Sequence, residues 1–170
     1  MRLLLAPHSD DEALFASYTI LRLKPVVVIC TDYDGSRGPT AQERRGESIE
    51  AMKILGAKVI FLGIPERELT QKSLLDNLKG IRSRLEIYAP AVQGGHPHHD
   101  LVGSSVCATI RYSTYTKTSL HPSGDVEIVP TDKEFELKKM ALACYKSQWK
   151  LNPQHFDAVL EARSEFYISH

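Results

Sequence analysis

Two short stretches hold most of the side chains that could do chemistry. "PHSDDE" (7–12) sets one imidazole beside three consecutive carboxylates, and "GGHPHHD" (94–100) sets three imidazoles within four residues. Adjacent carboxylates repel one another. Helix capping by Ser9 or Asp10, with Asp11 and Glu12 at the positive end of a helix dipole, explains acids at a helix start but not His8. Clusters of imidazole and carboxylate are candidates for metal or catalytic sites. Two neutral imidazoles and one carboxylate, with a position left open to water, form a catalytic zinc set. His8, Asp11 and His99 are the candidate ligands. Asp10 stays unligated and is the candidate general base, taking a proton from a water whose pKa the metal has lowered. His96, if protonated, would stabilise the oxyanion that grows as water attacks a carbonyl. Glu12 is left for the helix start or for a hydrogen bond to a ligand. The reaction class is metal-assisted hydrolysis.

Such a set needs rigid elements behind it. "RLLLA" (2–6) and "PVVVICT" (25–31) are continuous apolar runs of the kind buried on both faces of a parallel sheet. Between them, Leu14, Phe15, Tyr18 and Leu21 have helical spacing in "EALFASYTILRLK" (12–24). Residues 41–55 predict a second helix, with Ile49, Met52, Ile54 and Leu55 as its inner stripe and Gly56 as its stop. "AKVIFLG" (57–63) reads as a third strand, 70–86 as a helix and "EIYAPAV" (86–92) as a fourth strand. A helix over "DLVGSSVCATIRY" (100–112), a late strand over 126–130 and a helix over 131–147 complete the pattern. Strands alternating with helices predict an α/β fold, a Rossmann-like three-layer sandwich around a mainly parallel sheet. Both clusters directly follow strands. In open parallel sheets, ligands bind outside the carboxyl ends of the strands, where strand order reverses.

Bulk properties set the limits. The chain's 170 residues suit one domain over 1–170, and 42% hydrophobic with 25% charged residues is ordinary for a globular protein. Twenty-one basic residues balance twenty-one acidic ones, so no field of one sign argues for nucleic acid or an anionic membrane. Cys30, Cys107 and Cys144 are scattered, as free thiols in a reducing compartment would be. The N-terminus is too short in apolar residues for a signal peptide or a membrane span, and the expected location is cytoplasmic.

At "PHSDDE" and "HPHH" (96–99) the sequence resembles the LmbE/PIG-L family of zinc-dependent N-deacetylases, which carries an [AP]HPDDE segment after its first strand and an HPDH-like segment after a later one. The resemblance continues through "ERRGESIEAMKILGA" (43–57), "ALACYKSQ" (141–148) and "ARSEFY" (162–167), in the family's order. It implies zinc ligands at His8, Asp11 and His99, a general base at Asp10, an electrophilic histidine at His96, and a substrate-side arginine at Arg44 or Arg45. It also implies hydrolysis of an N-acetyl group, often on an N-acetylglucosamine moiety. Two positions depart from the pattern: Ser9 stands where Pro is usual, and His98 where Asp is usual. His98 thereby becomes the alternative to His99 as ligand.

The metal is Zn2+ in this reading, with Fe2+ or another divalent ion sharing the same donor set. The partner is a small N-acetylated molecule, with a homo-oligomer left open. Two other classes compete. A metal-dependent phosphoesterase would want a second metal and more carboxylates. A sugar- or nucleotide-binding module would leave both clusters without purpose, and no GxGxxG follows the first strand. Asp32, Asp34 and Arg37 fall in the turn-rich loop 32–40, as solvated charges or pocket lining. Trp149 and Tyr145 read as helix packing or pocket wall, Cys30 as core, and His121, His155 and His170 as histidines without ligand-spaced partners.

Overall fold

Along β1 (Arg2–Ala6) the side chains alternate between two apolar layers: Leu4 and Ala6 enter one core, Leu3 and Leu5 the other. That two-sided burial makes a central strand. The computed structural model describes residues 1–35, 38–80 and 86–169. Among these, seven strands form one sheet: β1, β2 (Val26–Asp32), β3 (Lys58–Pro65), β4 (Glu86–Pro90), β5 (Ile110–Tyr112), β6 (Val126–Ile128) and β7 (Glu165–Ile168). Their order is β3-β2-β1-β4-β5-β7-β6, with β1 to β5 parallel and β7 antiparallel to both its neighbours. The expected α/β sandwich with a mainly parallel sheet is present. The chain leaves β1 towards β2 and β3 and returns to β4 on β1's other side. Strand order therefore reverses between β1 and β4.

One face of the sheet carries α1 (Asp11–Leu23), α2 (Ala41–Leu55), α5 (Asp132–Leu142), α6 (Lys146–Leu151) and α7 (Pro153–Ala162). The other carries α3 (Gln71–Leu78) and α4 (Pro97–Ser105). Helix α1 is buried from Asp11 to Ile20. It kinks at Ala16, where φ is −140° and ψ 19°. The carboxylate of Glu165 enters the helix ladder just beyond this kink and accepts the Tyr18 amide at 3.0 Å, a recognised cause of kinking. Lys138 donates to the same carboxylate at 2.8 Å, and both residues are buried. Breaking such a pair by removing one partner typically costs about 3–5 kcal/mol.

Several elements differ from the sequence expectations. The helix expected over 100–112 ends at Ser105, and 110–112 form β5 instead. The β-branched run favours a strand there, and Gly103 lets the helix seat so close to β4 that a Cβ would meet the Pro90 carbonyl oxygen at 2.4 Å. The helix expected over 131–147 splits into α5 and α6, because the chain turns at 143–145 and buries Tyr145. In α2 the buried stripe is Arg44, Ser48, Ala51, Met52 and Leu55, while Ile49 is exposed. The inner face is polar over its first turns, which hid it from an apolar periodicity. Gly56, at φ 70°, stops the helix as expected. Residues 81–85, within the helix expected over 70–86, lie outside the described residues, as do Arg37 and His170.

Candidate active site

The turn from β1 into α1 aims Asp10 into a pocket. Asp10 occupies the N-cap position, yet its side chain makes no capping hydrogen bond among the described residues. Its φ is 131°, a strained conformation for a non-glycine residue, costing of order 1–3 kcal/mol. Glu12 holds that conformation: Oε2 accepts the Asp10 amide at 2.9 Å, and Oε1 accepts the Tyr145 hydroxyl at 2.5 Å. Capping alone therefore does not account for "SDDE". Burial raises Asp10 well above the usual carboxylate range, against the pull of Arg44.

A second turn, from β4 into α4, brings the histidines. Asp100 Oδ1 accepts the amides of Gln93 and Gly94 at 2.9 and 3.0 Å, tying the loop down. Gly95 lets the loop press on Tyr115, whose carbonyl oxygen would lie 2.0 Å from a Cβ there. His96 caps α4 through Nδ1, which accepts the His98 amide at 3.2 Å, so the ring's proton sits on Nε2. Burial pushes His96 down to about 4. Burial and the acceptor role of Nδ1 both favour the neutral ring over the imidazolium.

The two turns meet. One nitrogen each of His8, His96 and His99 lies within 4.8 Å of the others. Asp11 stands between two of these rings: Oδ2 is 3.0 Å from His8 Nδ1, and Oδ1 is 3.1 Å from His99 Nε2. Burial alone would raise Asp11, but the imidazoles of His99 and His8 hold it well below the carboxylate range. Burial lowers His8 to about 4. The Nδ1 of His99 lies 3.3 Å from Thr114 Oγ1, and its buried Nε2 faces Asp11 Oδ1 without the alignment of a good hydrogen bond. A buried ring nitrogen and a carboxylate brought this close without a well-aligned hydrogen bond is an arrangement that a cation would complete. This donor set of imidazole and carboxylate fits a divalent metal.

The pocket, about 310 Å³, takes in all six residues singled out from the sequence: His8, Asp10, Asp11, Arg44, His96 and His99. The ring of His98 does not line it and turns instead to His8. The arginines also separate. Arg44 donates to the Ser9 carbonyl at 2.7 Å and lies 3.6 Å from Asp10 and 3.5 Å from Glu66. Arg45 instead pairs with Asp32, its guanidinium 5.2 Å from the Phe61 ring centre.

The chain matches the PIG-L family, described as GlcNAc-PI de-N-acetylase, over residues 3–110. That span contains both histidine turns and Arg44 and makes up more than half of the 170 residues. The chain belongs to the PIG-L family. Membership supports an enzyme acting on N-acetyl groups. The conserved protein TT1542 from Thermus thermophilus is 22% identical, with 99% of this chain and 93% of that one covered at a TM-score of 0.73. GalB, the 4-carboxy-2-hydroxymuconate hydratase of Pseudomonas putida, is 18% identical, with 94% and 84% covered and a TM-score of 0.69. The zinc-inhibited form of teicoplanin deacetylase Orf2 is 16% identical, with 96% and 90% covered and a TM-score of 0.67. These likenesses show a shared fold. No curated protein matches the chain.

This PIG-L protein's pocket includes residues that no sequence signal singled out. Tyr33, Glu66, Tyr115 and Gln148 line it, and so does His155, whose ring centre lies 4.8 Å from that of Tyr115. Each is isolated in sequence from the two clusters. Of these, only Gln148 fell within a segment resembling the family. Ser147, beside Gln148, donates to Glu47 Oε2 at 2.6 Å through its hydroxyl and to Oε1 at 2.8 Å through its amide, which fixes α6 against α2. Tyr145 proves to be a hydrogen-bond partner of Glu12, whereas Trp149 packs on Phe156 and Cys30 is core. No helix among the described residues is long and apolar enough to cross a membrane.

Proposed function

We propose that this protein hydrolyses the N-acetyl group of an amine, with an N-acetylglucosamine-type amino sugar or conjugate as the substrate class. His8, Asp11 and His99 hold a divalent metal, Zn2+ in the first instance. The observation that carries this reading is the buried Nε2 of His99, set 3.1 Å from Asp11 Oδ1 without the alignment of a good hydrogen bond, beside an Asp10 carboxylate free of capping. A divalent cation there would polarise the acyl carbonyl and make water a better nucleophile at neutral pH. Asp10, buried and raised in pKa, takes a proton from the attacking water and passes it to the leaving amine. His96 donates from Nε2 to the oxygen on which negative charge develops. Arg44, braced by Ser9, Asp10 and Glu66, binds the polar groups of the substrate at the pocket wall.

Release of acetate from a panel of N-acetylated amino sugars, run alongside metal analysis, tests this. About one divalent ion per chain and acetate from at least one sugar are expected. Because Orf2 has a zinc-inhibited form, Zn2+ and Fe2+ are each titrated rather than added at one dose. Asp10→Asn should keep the metal and slow hydrolysis by about 10²–10⁴-fold, the usual contribution of general acid-base catalysis. Protein that takes up neither ion, or Asp10→Asn at full activity, would refute the reading.

A further inference from the structure

We propose that His98 is a positioning residue for His8, its Nδ1 accepting the proton that His8 must keep on Nε2 when its Nδ1 serves a metal. This rests on the metalloenzyme reading above and adds a residue to it.

A neutral imidazole has one N–H and one lone pair, on opposite edges of the ring. In His8 the Nδ1 edge faces Asp11 Oδ2 at 3.0 Å, on the side where Asp11 also meets His99. Nδ1 is therefore the nitrogen turned into the cluster. If its lone pair is given to a cation, the proton must reside on Nε2. There Nδ1 of His98 lies at 2.8 Å. Histidine ligands commonly hand this second N–H to a carboxylate, a carbonyl or water, which fixes both the tautomer and the ring's orientation. Here the acceptor is another imidazole, which does the same without adding a negative charge.

The backbone holds His98 in place for this role. Its amide donates to His96 Nδ1 at 3.2 Å in the first turn of α4, and its ring centre lies 5.1 Å from that of His8. One residue thus sets two tautomers, that of His96 through its main chain and that of His8 through its side chain. The resemblance to the family leads to an Asp at this position, and the geometry gives the histidine found there a task of its own.

Competition for Zn2+ against a chromophoric chelator, on metal-stripped protein, measures the effect without any assay of activity. His98→Phe keeps a ring but has no acceptor, and His98→Asn offers an amide oxygen near the place of Nδ1. His98→Phe should bind Zn2+ about 10–100-fold more weakly than wild type, the range typical when such a supporting contact is lost. His98→Asn should recover most of that loss. Nitrogen chemical shifts of the zinc-loaded wild type should place the His8 proton on Nε2. Equal affinity in all three proteins, tighter binding by His98→Phe, or a His8 proton on Nδ1 would overturn the proposal while leaving the metalloenzyme reading intact. Wild-type protein that binds neither Zn2+ nor Fe2+ would overturn both.

Discussion

The hydroxyl of Tyr145 donates to Oε1 of Glu12 at 2.5 Å, joining residues 133 positions apart. The other oxygen of Glu12 accepts the amide of Asp10, whose backbone is strained at φ 131°. Tyr145 thus acts on the candidate base through two hydrogen bonds and touches neither pocket nor metal donors. Tyr145→Phe leaves a buried carboxylate oxygen without its donor, which should cost about 1–3 kcal/mol of stability. Urea unfolding reads that loss. With the brace on Asp10 weakened, kcat should fall while KM and metal content hold, because no substrate or metal contact has been removed. A Tyr145→Phe enzyme with lower stability but unchanged kcat would confine Glu12 to a structural role.

How much of this was legible in the sequence depends on how local each signal is. "PHSDDE" and "GGHPHH" are contiguous, and each sits at a strand end, so five residues of one pocket could be named from them, and Arg44 was added by the resemblance of 43–57. The parallel core was equally plain in the apolar runs of β1 and β2. Long-range pairings left no local trace. The Tyr145–Glu12 contact, the insertion of Glu165 into α1 and the stacking of His155 on Tyr115 all join segments far apart in sequence. The same holds for the second half of the sheet. β5 and β7 have three and four residues, too short for an alternation pattern to show. The polar stripe of α2 was misread for a related reason: Arg44 and Ser48 are buried although neither is apolar, and Arg44 lines the pocket.

Two adjacent arginines give a controlled comparison. Arg44 and Arg45 lie on one helix, but only Arg44 lines the pocket. Its Nε is buried with no partner among the described residues, while its terminal nitrogens reach Ser9, Asp10 and Glu66. Losing a charged hydrogen bond to substrate is typically worth about 1.5–3 kcal/mol, so Arg44→Ala should lower kcat/KM by roughly 10–100-fold. Arg45→Ala removes a partly exposed pair with Asp32 and should change stability by about 1 kcal/mol or less, with kcat/KM near wild type. Steady-state kinetics on both variants decide the matter, and equal losses would mean that Arg44 has no special role towards substrate.

Far from the pocket, the start of α5 is tied to α1 by a bidentate pair whose stabilising effect depends on pH. Nε and Nη2 of Arg22 donate to Oε1 and Oε2 of Glu134 at 2.7 and 2.9 Å. Glu134 also closes the capping box with Thr131, accepting its amide at 2.8 Å. The hydrogen bonds from Arg22, helped by those from Thr131, hold Glu134 down to about 2, against an ordinary value of 4.5. A carboxyl group with a lower pKa in the folded state than in the unfolded chain binds fewer protons when folded. Its stabilising contribution is therefore full above about pH 4.5 and disappears as the pH falls towards 2. The pair is partly exposed and solvent-screened, so the effect should be about 1 kcal/mol at most. Glu134→Gln isolates the charge, since Gln also serves in a capping box. In urea melts the variant should be less stable than wild type at pH 7. The gap should narrow between pH 4.5 and 2 and vanish at the acid end, whereas a gap that persists unchanged at pH 2 would show that the charge of Glu134 is not its source.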